Sequence, residues 1–95
     1  MLDYKLLHAL SVVVDEQNFD RAASVLAITQ SAVSQRIKSL EQAIGQPVLI
    51  RSQPIEATII GKKLLAHYQQ VKLLEQDILP DISGDKKLET ITANI

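Results

Sequence analysis

The chain has 95 residues, enough for one domain with a small core. Apolar residues make up 46% of it but aromatics only 3%, so that core has to be assembled from Leu, Ile, Val and Ala. Cysteine is absent, which excludes a disulfide framework and any thiolate metal site, and the net charge of −1 means that affinity for phosphate would have to come from local charge.

Asp3 is placed to cap a first helix, along which Leu6, Leu7, Leu10, Val13 and Val14 recur at helical spacing. That helix should stop near Gln17-Asn18, because Asn tolerates the left-handed conformation that ends helices. Its apolar stretch ends on Asp15-Glu16 without a small-residue cleavage site, so it reads as a buried helix and not a secretory signal. Residues 19–26 form a second, short helix with Ala22, Ala23 and Leu26 turned inward. Ala27-Ile28-Thr29 is a tight connection, and the Thr29 hydroxyl can cap a third helix over 30–44 that ends at Gly45. Pro47 sets the exit, Val48-Leu49-Ile50 is a short β-prone run, Ser52-Gln53-Pro54 a turn, and residues 55–57 a return strand. Thr58 then caps a long helix to about Leu79, with Pro80 as its stop. Residues 81–85 read as a linker. Residues 87–95 alternate like a strand that lacks a partner, so the chain is expected to belong to something longer.

The fold class is therefore mainly α: three helices in helix-turn-helix order plus a short β-hairpin over 1–57, followed by a long helix over 58–80. Charge concentrates in the middle. Residues 21–63 hold Arg21, Arg36, Lys38, Arg51, Lys62 and Lys63 against only Glu41 and Glu56, whereas acids outnumber bases on both sides. A solvated surface would look the same. No apolar run reaches the roughly 18 residues that a membrane span requires, and a cytoplasmic location is expected.

A helix-turn-helix that reads DNA must expose one polar face of its second helix while the other face holds the core. At about 100° per residue, Val33, Ile37, Leu40 and Ile44 form one apolar stripe, and Ser31, Ser34, Gln35 and Lys38 fall on the opposite side. Serines allow close approach to a groove, Gln can pair bidentately with adenine, and Lys can reach guanine or phosphate. Arg36 lies beside the stripe, to reach the flanking DNA backbone or to pair with Glu41 or another acid. From periodicity alone, a three-helix bundle whose polar face is merely wet fits as well.

The run Phe19-Asp20-Arg21-Ala22-Ala23, then Leu26 with Thr29-Gln30-Ser31-Ala32-Val33-Ser34-Gln35-Arg36-Ile37, then Leu40-Glu41, Gly45 and Leu49-Ile50-Arg51, resembles the DNA-binding segment of LysR-type transcriptional regulators. Residues 30–38 resemble in particular the branch that controls basic amino-acid export. The resemblance implies Gln30, Ser31, Ser34 and Gln35 at base edges, with Arg21, Thr29, Arg36, Lys38 and Arg51 on the DNA backbone. It implies a winged helix-turn-helix over 1–57, a linker and dimerisation helix over 58–80, double-stranded DNA as partner, homodimers or tetramers, and residues 81–95 as a hinge and first strand of an effector-binding domain. A small-molecule effector is expected only in that domain, and no cofactor here. Ser31 stands where Pro is more usual, and the wing over 52–56 carries Glu56 in place of the usual Arg.

In the long helix Ile60, Leu64, His67, Val71, Leu74 and Ile78 alternate at spacings of four and three, a dimerisation seam. A helix lying on its own domain's core, or an interaction module that never touches DNA, would show the same pattern. His8 and His67 have no second ligand at metal spacing, and nothing sets a nucleophile beside a base, so an enzyme is not expected. Gly61 is expected to serve close packing against the wing.

Overall fold

A computed structural model describes residues 2–83, and side chains as far as 78. Of the hinge and strand expected over 81–95, residues 84–95 lie outside the described residues, and 81–83 belong to the last helix. The elements are α1 (Tyr4–Glu16), α2 (Phe19–Leu26), α3 (Gln30–Ile44), β1 (Leu49–Ile50), β2 (Glu56–Ala57) and α4 (Ile59–Ser83).

Each helix of the trihelical unit starts on a side-chain cap. Asp3 accepts from the Lys5 amide at 3.0 Å, Asn18 from the Arg21 amide at 2.8 Å and Thr29 from the Ala32 amide at 3.0 Å. These contacts satisfy amides that a helix start leaves without partners. Each helix ends on a left-handed residue: Gln17 (φ 58°), Ala27 (φ 58°) and Gly45 (φ 85°). The first of these corrects the expected division of labour at Gln17-Asn18. Gln17 takes the left-handed turn, and Asn18 is extended at φ −166° to cap α2. An Asn side chain that reaches the third amide of a following helix gains more as a cap than as a helix terminator.

The core is aliphatic, as the composition demands. Leu7, Leu10 and Val13 of α1 meet Ala22 and Ala23 of α2, and Val33, Ile37 and Leu40 of α3 close the cluster. The small residues of α2 let the three backbones approach closely. β1 and β2 pair antiparallel with Leu49 opposite Ala57 and Ile50 opposite Glu56, forming the wing. Val48, Leu49 and Ile55 anchor it to the same core.

Val48 is fully buried, and both its backbone groups are satisfied. Its amide donates to Glu41 Oε2 at 2.9 Å, and its carbonyl accepts from the Thr58 amide at 3.0 Å. Thr58 caps α4 as expected, its Oγ1 accepting from the Gly61 amide at 3.1 Å while its hydroxyl donates to the Pro47 carbonyl at 2.8 Å.

Two expectations for α4 are corrected. The helix passes Pro80 and runs to Ser83. A proline removes one helical donor and strains the preceding turn at a cost of about 3 kcal/mol, which bends a helix without necessarily ending it. The dimerisation seam also divides. Leu64 is buried in its own domain's core, Ile60 packs against that core, and the His67 ring accepts or donates at 2.9 Å with the Tyr4 hydroxyl of α1. Ile60 and Leu64 face inward within the chain and His67, though exposed, is engaged by Tyr4, because a four-and-three spacing records an apolar stripe, whichever surface covers it. Val71 is half-buried, and Leu74 and Ile78 remain 61% and 53% exposed. A second stripe at seven-residue spacing, Ile59, Ala66 and Leu73, is exposed on another side of the helix. Beside Tyr4 and His67, the rings of His8 and Tyr68 lie 6.1 Å apart, and Lys72 Nζ sits 5.6 Å from the Tyr68 ring centroid. Burial, and secondarily the Glu75 carboxylate, push the Tyr68 hydroxyl above its ordinary pKa of 10.0.

Candidate nucleic-acid interface

Helix α3 turns its stripe of Val33, Ile37 and Leu40 into the core, and among the described residues its opposite face is left open to solvent. Gln30, Ser31, Ser34, Gln35 and Lys38 line one open, shallow depression on that face. Ser34 is half-buried at its floor and the other four are exposed. The lining combines two amides, two hydroxyls and one ammonium, with no carboxylate. It therefore offers donors and acceptors at several depths beside a cation, the chemistry that the edge of a base pair and its flanking phosphate require. The four residues expected to meet bases are thus brought to one surface, together with Lys38.

Of the expected backbone-contact residues, Arg21, Thr29, Lys38 and Arg51 are exposed and Arg36 is half-buried. Thr29 is exposed at the start of α3 with its oxygen held by the Ala32 amide, and Arg21 is exposed in the first turn of α2. Arg36 is half-buried on the flank of α3. Its suggested partner Glu41 is instead committed to the Val48 amide. Five residues apart on a helix, Arg36 and Glu41 point to different sides, whereas ion pairs need a separation of three or four. Arg51 is exposed at the start of the wing loop, its guanidinium carbon 5.1 Å from the Phe19 ring centroid. The wing turn closes through the Ser52 hydroxyl, which donates to the Pro54 carbonyl at 2.9 Å.

Three residues that hold this geometry have no motif of their own. Gln17 clasps the wing: its Oε1 accepts from the Ile55 amide at 2.9 Å, and its Nε2 donates to the Ile55 and Val14 carbonyls. Glu41 secures Val48, and Phe19 carries Arg51. Phe19 and Glu41 stand within the family run, so their presence was visible and only their partners were not.

Three capped helices, an uncovered polar face on the third and a two-stranded wing define a winged helix-turn-helix regulatory domain. Residues 4–62 match the family described as bacterial regulatory helix-turn-helix protein, lysR family, and the chain belongs to that family. It is 57% identical over 94 residues to the HTH-type transcriptional regulator ArgP of Aeromonas salmonicida, a match covering 99% of this chain and 31% of that protein. Among solved structures it resembles full-length LysG from Corynebacterium glutamicum, with a TM-score of 0.82 and 34% identity over 88% of this chain and 29% of that one. It also resembles the chain in the BenM_DBD/benA site 1 DNA complex, with a TM-score of 0.74 and 28% identity over 82% of this chain and 89% of that one. The chain spans less than a third of the length of the curated relatives it matches. Among the described residues no helix is long and apolar enough to cross a membrane.

Proposed function

We propose that this chain is the DNA-reading end of an ArgP-like LysR regulator that controls transcription in the bacterial cytoplasm. Helix α3 enters the major groove with Gln30, Ser31, Ser34 and Gln35 toward base edges. Arg21, Thr29, Arg36, Lys38 and Arg51 meet the sugar-phosphate backbone on either side. The observation that carries this reading is the open depression on α3 that collects its polar residues and Lys38. The BenM_DBD chain, of similar fold, forms a complex with DNA, which supports DNA as the partner of this chain too. A small-molecule effector would act through a further domain, consistent with the greater length of the relatives.

Fluorescence anisotropy tests it, with a labelled duplex recovered by selection from a random-sequence library and an unselected duplex of equal length. Replacing Gln30, Ser34 and Gln35 together by Ala should erase the preference for the selected duplex, since each bidentate base contact is worth about 1–3 kcal/mol of discrimination. Lys38→Ala should instead weaken both duplexes alike and flatten the dependence on salt by about one unit of slope. An unchanged preference in the triple variant would remove α3 from the interface.

Dimerisation, in this reading, uses the part of α4 beyond Leu64, where Leu73, Leu74 and Ile78 stand exposed. A dimer sets two α3 helices to span about 34 Å, one turn of DNA. Leu74→Asp combined with Ile78→Asp should weaken self-association at least about a hundred-fold in sedimentation velocity, because each buried aliphatic side chain contributes about 1.5–3 kcal/mol. Persistence of the dimer would assign it to another surface.

A further inference from the structure

The contact between Phe19 and Arg51 joins two parts of the fold that the chain separates by 32 residues. Phe19 opens α2, directly after the Asn18 cap, and packs half-buried against the aliphatic core. Its position is therefore set by the α1–α2 corner and not by the wing. Arg51 is exposed, lies just past the two residues of β1, and is the sole cation between Lys38 and Lys62. Its guanidinium lies over the face of that ring at 5.1 Å.

A guanidinium can be held in place in two ways with different consequences. A carboxylate partner would occupy its N–H edge and cancel its charge. An aromatic ring takes only the flat face and leaves the whole donor edge, and the full charge, free for an anion. Glu56, the acid of the wing, sits across the hairpin opposite Ile50. Arg51 has ring on one side and solvent beyond it.

We propose that Phe19 is a positioning residue for DNA binding: its ring face pre-orders the Arg51 guanidinium at the edge of the wing so that the donor edge meets the DNA backbone. This rests on the reading of Arg51 as a DNA contact. The gain is one of order, since a long side chain that is already stacked loses less freedom on binding.

The test is anisotropy titration of the chain with the selected duplex across a range of salt, with thermal melting of each variant beforehand. Phe19→Leu should weaken binding about three-fold and leave the salt slope unchanged, because the charge remains while its platform is gone. Arg51→Ala should weaken binding about ten-fold and lower the slope by about one. Phe19→Leu placed in the Arg51→Ala background should cause no further loss, and Phe19→Trp should bind at least as tightly as the parent. Phe19→Met replaces Phe19→Leu if the latter melts early. An additive loss in the double variant, or equal losses from Phe19→Trp and Phe19→Leu, would overturn the proposal in favour of simple packing. Arg51→Ala without effect on affinity or slope would instead overturn the assignment of Arg51 to the DNA, a result separable from the other two.

Discussion

Gly61→Ala should be the most damaging single methyl that can be added to this domain, lowering stability by about 3 kcal/mol or more. The reason is a crossing of backbones. The Pro47-Val48 strap passes over the first turn of α4, held there by the Thr58 hydroxyl on the Pro47 carbonyl and the Thr58 amide on the Val48 carbonyl. A Cβ on Gly61 would stand well inside contact distance of the Val48 carbonyl oxygen, with the Ala57 Cβ at 3.2 Å. The obstacle is backbone, with no flexible end to swing aside. Val48 cannot withdraw, since its side chain is fully buried and its amide is bonded to Glu41. Alanine would bring about 1 kcal/mol of helix propensity, which the clash outweighs. Thermal melting should fall on the order of 15 °C for a domain of this size. A melting point at or above the parent's would show that the strap can lift. Gly45→Ala is the informative contrast, because nothing lies within 4 Å of its would-be Cβ and the penalty there arises from the positive φ alone.

Gln17→Leu should also be costly, at about 2–4 kcal/mol, and its effect should be concentrated in the wing. One amide side chain serves both polar groups of Ile55, a residue buried in the core, and also the Val14 carbonyl at the end of α1. Leucine matches the volume but leaves the Ile55 amide and carbonyl without partners, and each such loss costs about 1–3 kcal/mol. Native-state hydrogen exchange of the Ile55 amide reads this directly. Protection there should collapse, while amides of Leu10 and Ile37 should lose only what the global destabilisation imposes. Gln17→Gly separates the two roles of the position: it relieves the left-handed backbone at φ 58° yet removes the clasp, and should still destabilise. Unchanged Ile55 protection in Gln17→Leu would mean that the wing is held by its apolar contacts alone.

The consequence for function is mechanical. Glu41 ties α3 to the strap before β1, Gln17 ties the end of α1 to the wing at Ile55, and Thr58 ties the start of α4 to the same strap. In the proposed reading, such ties hold the wing that carries Arg51 in a set relation to α3, as two-part recognition of one duplex would require. On the proposed DNA contacts, loosening the clasp at Gln17 should reduce the contribution of Arg51 before it touches that of Gln30 or Gln35.

Much of this architecture was legible before any coordinates, because it rests on local physics. Helix bounds followed from period and caps: Asp3, Thr29 and Gly45 sit where the chain's own spacing put them, and the inward stripe of Val33, Ile37 and Leu40 left only one face for the polar residues of α3. The family run, recognisable from residue order, agrees with the match over residues 4–62. What local reasoning could not decide were pairings across long stretches of chain. The partners of Gln17, Glu41 and Phe19 lie 38, 7 and 32 residues away, and each of these side chains has several equally good partners until the backbone is folded. The seam of α4 shows the same limit. A stripe of Ile60, Leu64, His67, Val71, Leu74 and Ile78 states only that water is to be excluded from one side of a helix. The folded domain decided that Ile60, Leu64 and His67 turn to its own core and to Tyr4, leaving Leu74 and Ile78 uncovered, because hydrophobic burial carries no direction and takes the nearest surface that closes over it.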